Sequence, residues 1–497
     1  MRLLLAGAVA LLFFAACATA PPPGTALSGV SVPACAAWFV YLDGAVRRAG
    51  VADAQEARVE NHPQLRANRF IAALAQDPRI DDAAFAREAL PMMRALDRAA
   101  RAAEISNLPQ SAIADLGMAR APALLRTEQC AAHLFDATRP DRAAIVVPDD
   151  YRDAQRLLGA YALMRYPFTA GVRRQLAEVQ AAFARPLAAP PGGRVLRYAV
   201  AGVEPVDAAT PRDAVLLERH QPVFDIEITG DDDQPGALAW DPQRGAPVVQ
   251  PDQPTLYRHV AFTRYRGSTL TQLVYTIWFG ARPASTPGDL LAGHLDGLVW
   301  RVTLDHQDRA LVYDTIHPCG CYHYFFPSPR ASPIPAPSDE PEWAFVPQAI
   351  GDARVDERIV LRIATRTHYL ERVTIEPSAD AQRGASALRV LAQDRLRALP
   401  VLGAGTTGSE THSAYGPDGL IPGTERAERF LFWPMGIPSA GQMRQWGRHA
   451  TAFVGRRHFD DAALFEKRFV LVVDEGVEPA PGPIAKPMRA PEPAAPH

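Results

Sequence analysis

In the stretch YDTIHPCGCYHYFFP, residues 313–327, His317, Cys319, Cys321 and His323 recur at every second position. Imidazole and thiolate bind copper or zinc, two thiols can close a disulfide, and a thiol beside a histidine can act as a nucleophile. On an ideal strand the four side chains share one face but span roughly 20 Å, so a single ion requires a bend. Pro318 and Gly320 suit one, because proline cannot donate to a ladder and glycine accepts positive φ. A local Cys319–Cys321 disulfide is the competing chemistry. The Cα atoms of an extended chain, about 6.6 Å apart at that spacing, reach only the upper edge of what a bridge spans. A third alternative leaves all four in an ordinary core strand, since the spacing is not a CxxC zinc pattern.

Just upstream, His294 and Asp296 form His-x-Asp at a strand entrance. The pair resembles two members of the facial triad of non-haem iron dioxygenases, and the resemblance implies iron with a third ligand from His306, His317, His323 or His412. The same Asp-Gly step also makes a turn between strands. In MRQWGRHATAFVGRRHF, Arg444, Arg448, Arg456 and Arg457 stand among aromatic residues. That mixture suits an anionic, partly apolar ligand such as a phosphate-bearing lipid or glycan, or it is an amphipathic cover with its guanidinium groups in water. GAGTTG, residues 403–408, has the letters of a dinucleotide fingerprint without the strand and helix that motif requires, and reads as a loop. GDDDQPG reads as a hairpin turn, with calcium as the alternative. Neither a GxSxG elbow nor an HExxH helix occurs.

These residues must act in a particular compartment. The chain opens MRLLLAGAVALLFFAACATAPPPG, with Arg2 before an apolar run too short for the roughly 20 residues of a membrane span. The segment Phe14-Ala15-Ala16-Cys17 resembles a bacterial lipobox. The resemblance implies cleavage before Cys17, lipidation of that cysteine and, with Ala18 following, retention at the outer membrane on its periplasmic side. Residues 1–16 are then a signal peptide and 17–32 a tether. Basic and acidic residues nearly balance, 52 against 55, so no global field favours nucleic acid. Apart from Cys17 the chain has Cys35, Cys130, Cys319 and Cys321, and export favours disulfides. Cys35 and Cys130 both lie in helix-like segments and are the expected pair.

The elements that would position the chemistry change type along the chain. Apolar residues return at three and four over 33–190, which predicts an α-helical domain, with Pro91 kinking or splitting one helix. From 191 to 476 period-two alternation and β-branched content predict an antiparallel sheet or sandwich, interrupted by a Pro-rich loop at 327–343 and a Gly-rich loop at 403–419. ASALRVLAQDRLRALP reads as a helix, RIVLRIATRTHYLERVTI as one long strand, and 477–497 as a disordered tail. The predicted class is α+β, with a C-terminal helix and loop cover. Two functions follow: a lipid-anchored binding or assembly component meeting an envelope lipid, glycan or protein, or an envelope enzyme using a thiol or copper, zinc or iron. Convergence of histidines and carboxylates in a concave site would mark the enzyme; a broad apolar surface would mark the binder.

Overall fold

The structure, a computed structural model, describes residues 31–135, 139–187, 192–200, 210–404 and 410–473. The lipobox, the tether, the C-terminal tail and most of the GAGTTG loop lie outside the described residues. Ser31 caps the first helix, α1 (Val32–Ala49), by accepting the Ala34 N–H, and Gly50 ends it in the left-handed conformation. Cys35 on α1 is bridged to Cys130 on α5 (Arg120–Phe135), with Cα atoms 5.0 Å apart. Trp38, Phe39, Leu42, Ile105 and Leu116 pack around the bridge.

Between them run α2 (Arg69–Gln76), α3 (Asp82–Asn107) and α4 (Gln110–Asp115). The helical reading of QLRANRFIAALAQ holds only for its second half: His62–Ala67 is a strand paired with Ala57–Val59, and Asn68 caps α2. Pro91 does not split α3, which is one helix of 26 residues. Next come α6 (Asp153–Leu158) and α7 (Tyr161–Ala184), the latter passing through Pro167.

The remainder is built on one ten-stranded sheet. In chain order its strands are β1 (Arg194–Val200), β2 (Val223–Ile228), β3 (Thr255–Tyr265), β4 (Ser268–Arg282), β5 (Gly293–Leu304), β6 (Ala310–Ile316), β7 (Tyr324–Pro327), β8 (Glu357–Ile363), β9 (Leu370–Pro377) and β10 (Ser386–Ala392). Their spatial order is β7-β6-β5-β4-β3-β10-β1-β2-β8-β9. Strands β3 to β7 form an antiparallel meander. The expectation of a wholly antiparallel sheet fails at three seams: β10 pairs parallel with both β3 and β1, and β8 pairs parallel with β2. Central β4 is buried along most of its length, with Leu270, Leu273, Val274, Ile277, Trp278 and Phe279 enclosed.

Two further readings are corrected. Residues 386–392 of ASALRVLAQDRLRALP form strand β10, because its parallel neighbours supply a ladder that local propensity does not reveal. The long strand read in RIVLRIATRTHYLERVTI is a hairpin of β8 and β9. Helix α7 lies against the sheet through Val179 and Phe183, which join Tyr275, Trp300, Tyr313 and Phe326 in the main core. Short helices and loops from 429 to 468 cover another part of the molecule, including α8 (Arg429–Phe432) and α9 (Leu464–Arg468). Charged side chains cross the boundary expected near 190: Arg397 meets Asp53 and Glu56, and Arg69 meets Asp150 and Asp460.

Candidate functional site

The HPCGCYH segment is neither a strand nor a four-ligand face. Strand β6 ends at Ile316, the Gly320 N–H donates to the His317 carbonyl at 2.8 Å, and the His317 N–H donates to the Cys321 carbonyl at 3.0 Å. The bend falls on Pro318 and Gly320. Gly320 has φ of 92°, and a Cβ there would stand 2.5 Å from the Ala450 carbonyl oxygen, so only glycine fits under the 438–459 segment. Cys319 and Cys321 come side by side without a bridge, the Cys321 N–H lying 3.4 Å from the Cys319 sulfur. The adjacent Cys319 thiol and burial hold the Cys321 thiol well above the usual range, so it stays protonated.

The turn sends its two histidines to different carboxylates. His317 donates from Nδ1 to Asp296 at 3.0 Å, and His323 donates from Nε2 to Asp314 at 2.8 Å. Asp314 also accepts from Arg301 Nε at 2.9 Å. Burial drives His323 down to about 3, which leaves it neutral. Asp296 is the centre of a longer chain. It accepts the Gly297 N–H and, on its other oxygen, Nδ1–H of His368 at 3.0 Å. His368 Nε2 lies 3.4 Å from Asp233, and the His368 ring stacks on Phe279 at 4.0 Å. Burial disfavours charge at every member. Even so, His317 and His368 hold Asp296 well below the usual carboxylate range, while Asp233 and Asp296 raise His368. His317 goes the other way, lowered by burial against the pull of Asp296. The arrangement is a buried chain of histidine, carboxylate, histidine and carboxylate, in which the charged form is favoured at His368 and disfavoured at His317.

His368 was not among the residues singled out from sequence, and Asp233 entered only as part of the GDDDQPG turn. His294 donates instead to the Pro247 carbonyl at 2.7 Å, His306 sits on the turn after β5, and His412 stacks on Trp240 at 3.5 Å. Among the described residues no three His, Cys, Asp or Glu side chains are placed to hold one metal ion. The expected ligands face separate carboxylates and carbonyls. The arginines are likewise spent internally. Arg444 and Arg457 are buried, donating to the Pro438 and Ser439 carbonyls and to Thr451 and the Trp343 carbonyl respectively. Arg448 pairs with Asp150, and Arg456 with Asp149 and Asp153. Arg444 and Arg457 are thereby enclosed, against the reading of a cover with all its guanidinium groups in water, whereas Arg456 stays exposed.

The concave feature lies beside the turn. A cleft of about 490 Å³ runs along α7, walled on that side by Met164, Phe168, Gly171, Val172, Gln175 and Leu176. These recur at the three- and four-residue spacing of one helix face. Cys321, Tyr322, His323 and Tyr324 form its floor; Glu342, Phe345, Glu428, Leu431, Phe432, Thr451, Phe453 and Arg457 contribute the rest. Elements around it carry exposed apolar side chains: Leu157 and Leu158 on α6, Leu163 and Tyr166 on α7, and Phe430, Leu431 and Trp433 nearby. Those elements touch one another. Apart from Cys321, His323 and Arg457, the lining was not anticipated. The one sequence signal was the apolar spacing of α7.

No known family, curated protein or solved structure matches the chain.

Proposed function

We propose that this is a lipid-anchored protein of the cell envelope, held to the outer membrane on its periplasmic side through Cys17, which binds an apolar or amphiphilic envelope molecule in the α7 cleft. The observation that carries the reading is the cleft itself: an apolar helix face opposite aromatic side chains, with exposed leucines and aromatics around it. Water is a poor occupant of such a space, and clustered exposed apolar residues mark a surface that meets another apolar one. Thiol chemistry is less well supported, because Cys321 is held as the thiol and His323 is committed to Asp314. One observation favours an enzyme as the second reading: Tyr322 of the cleft floor packs against His317, 5.0 Å between ring centroids, with Asp296 behind.

Native mass spectrometry of protein released gently from envelopes tests the reading in two arms. The wild type is expected to fractionate with the outer membrane and to carry a non-covalent apolar adduct. Cys17→Ser is expected to leave the membrane fraction. Wild-type protein that is adduct-free, together with a Cys17→Ser variant that stays membrane-bound, would remove both halves of the proposal.

A further inference from the structure

Resting on that binding reading, we infer that the cleft selects its ligand by the head group, taking an amphiphile that ends in a hydrogen-bond donor, an alkylammonium above all, against the Glu428 carboxylate. Glu428 lines the cleft yet is only 6% exposed. Among the described residues its carboxylate has no hydrogen-bond or ion-pair partner, although its backbone is engaged with Leu290, Leu431 and Phe432. A buried carboxylate left this way costs free energy unless something fills the gap. Its place is made by Gly441, at φ of 83°, where a Cβ would stand 2.0 Å from Glu428 Oε1. Shape rather than a partner holds the group at the cleft wall.

The other charged groups of the lining do not compete for the role. Glu342 accepts the backbone N–H groups of Phe453 and Val454, each at 2.8 Å. Arg457, the one cation among the lining residues, already donates to Thr451 and to the carbonyls of Glu342 and Trp343. A fatty carboxylate would thus find no free cation among the described lining residues, and would meet an acidic group rather than a counter-charge at Glu428. Burial raises Glu428 to about 7, with Arg426 and Arg282 pulling it down and Asp289 and Asp296 adding to the rise. An arriving ammonium supplies the missing counter-charge and keeps the carboxylate ionised, so the same group that is strained when empty is satisfied when bound.

Calorimetric titration of the full mature chain with dodecylamine, dodecanol and dodecanoate separates head from tail. All three share the apolar chain. Dodecylamine is expected to bind about tenfold or more tighter than dodecanoate, the range of one charge-assisted hydrogen bond. Glu428→Gln should erase that preference while dodecanol binds as before, which also shows that the variant is folded. Equal or tighter binding of dodecanoate by the wild type, or an unchanged preference in Glu428→Gln, would overturn the inference while leaving the apolar cleft reading standing. Failure of all three to bind would remove that reading and the inference with it.

Discussion

Asp296 accepts three N–H groups, from Gly297, His317 and His368, and this explains how a fully enclosed carboxylate can remain charged. Removing one partner of such a buried set costs about 3–5 kcal/mol, because the others are left uncompensated. The two histidines should titrate in opposite senses. His368 is raised above the ordinary histidine value, so its contribution to stability is fully present below that value and is lost as pH rises through the folded one. Asp233 and Asp296 are depressed, so theirs is present above the usual carboxylate range and is lost only as pH falls through their folded values. Ring-nitrogen NMR across a pH titration should find His368 titrating above the ordinary histidine value and His317 below it, with the proton of neutral His317 on Nδ1. A His368 that titrates below the ordinary value would contradict the clamp. Asp296 and His317 were legible in the sequence as residues, but their use was not. His368 hid in a run with no glycine or proline, where the β8–β9 turn is made by Arg366 and His368 themselves at φ of 62° and 51°.

At the scale of elements, helix and strand texture followed the apolar period wherever one face was buried. It failed where pairing with distant strands decided the outcome, as for β10, whose sequence suits a helix and whose neighbours β3 and β1 make it a strand. The bend at Pro318 and Gly320 was legible from those two residue types alone. What it achieved was not, because the destinations of His317 and His323 lie on β5 and β6. The α1–α5 pairing is the clearest element-level expectation to be met, with Cys35 and Cys130 bridged across 95 residues. Closing so long a loop restricts the unfolded chain. A Cys35→Ala, Cys130→Ala variant should lose about 2–5 kcal/mol in denaturant unfolding. Wild-type stability in that double variant would mean the bridge merely accompanies a packing strong enough without it.

Across the whole molecule, the helical part is joined to the sheet and its cover by buried ion pairs. Arg397 reaches Asp53 and Glu56, and Arg69 reaches Asp460. No composition or period announces such pairs, because each partner is hundreds of residues from the other or on a separate element. The cleft belongs to this scale too: α7 supplies one wall, the 321–324 turn the floor, and segments near 342, 430 and 453 the remainder. Its existence depends on several distant stretches meeting, which is why only the apolar face of α7 was legible in the sequence. Among the described residues no helix is long and apolar enough to cross a membrane. Gly171 allows the most direct test. It lines the cleft within α7, and a Cβ built there meets nothing within 4 Å, so a side chain can grow into the space without disturbing the helix. Fluorescence titration with the neutral apolar probe N-phenyl-1-naphthylamine should give saturable enhancement at one site in the wild type and almost none in Gly171→Trp, with equal thermal stability. Equal, saturable enhancement in both proteins would place the probe elsewhere and contradict the claim that this cleft is the binding site.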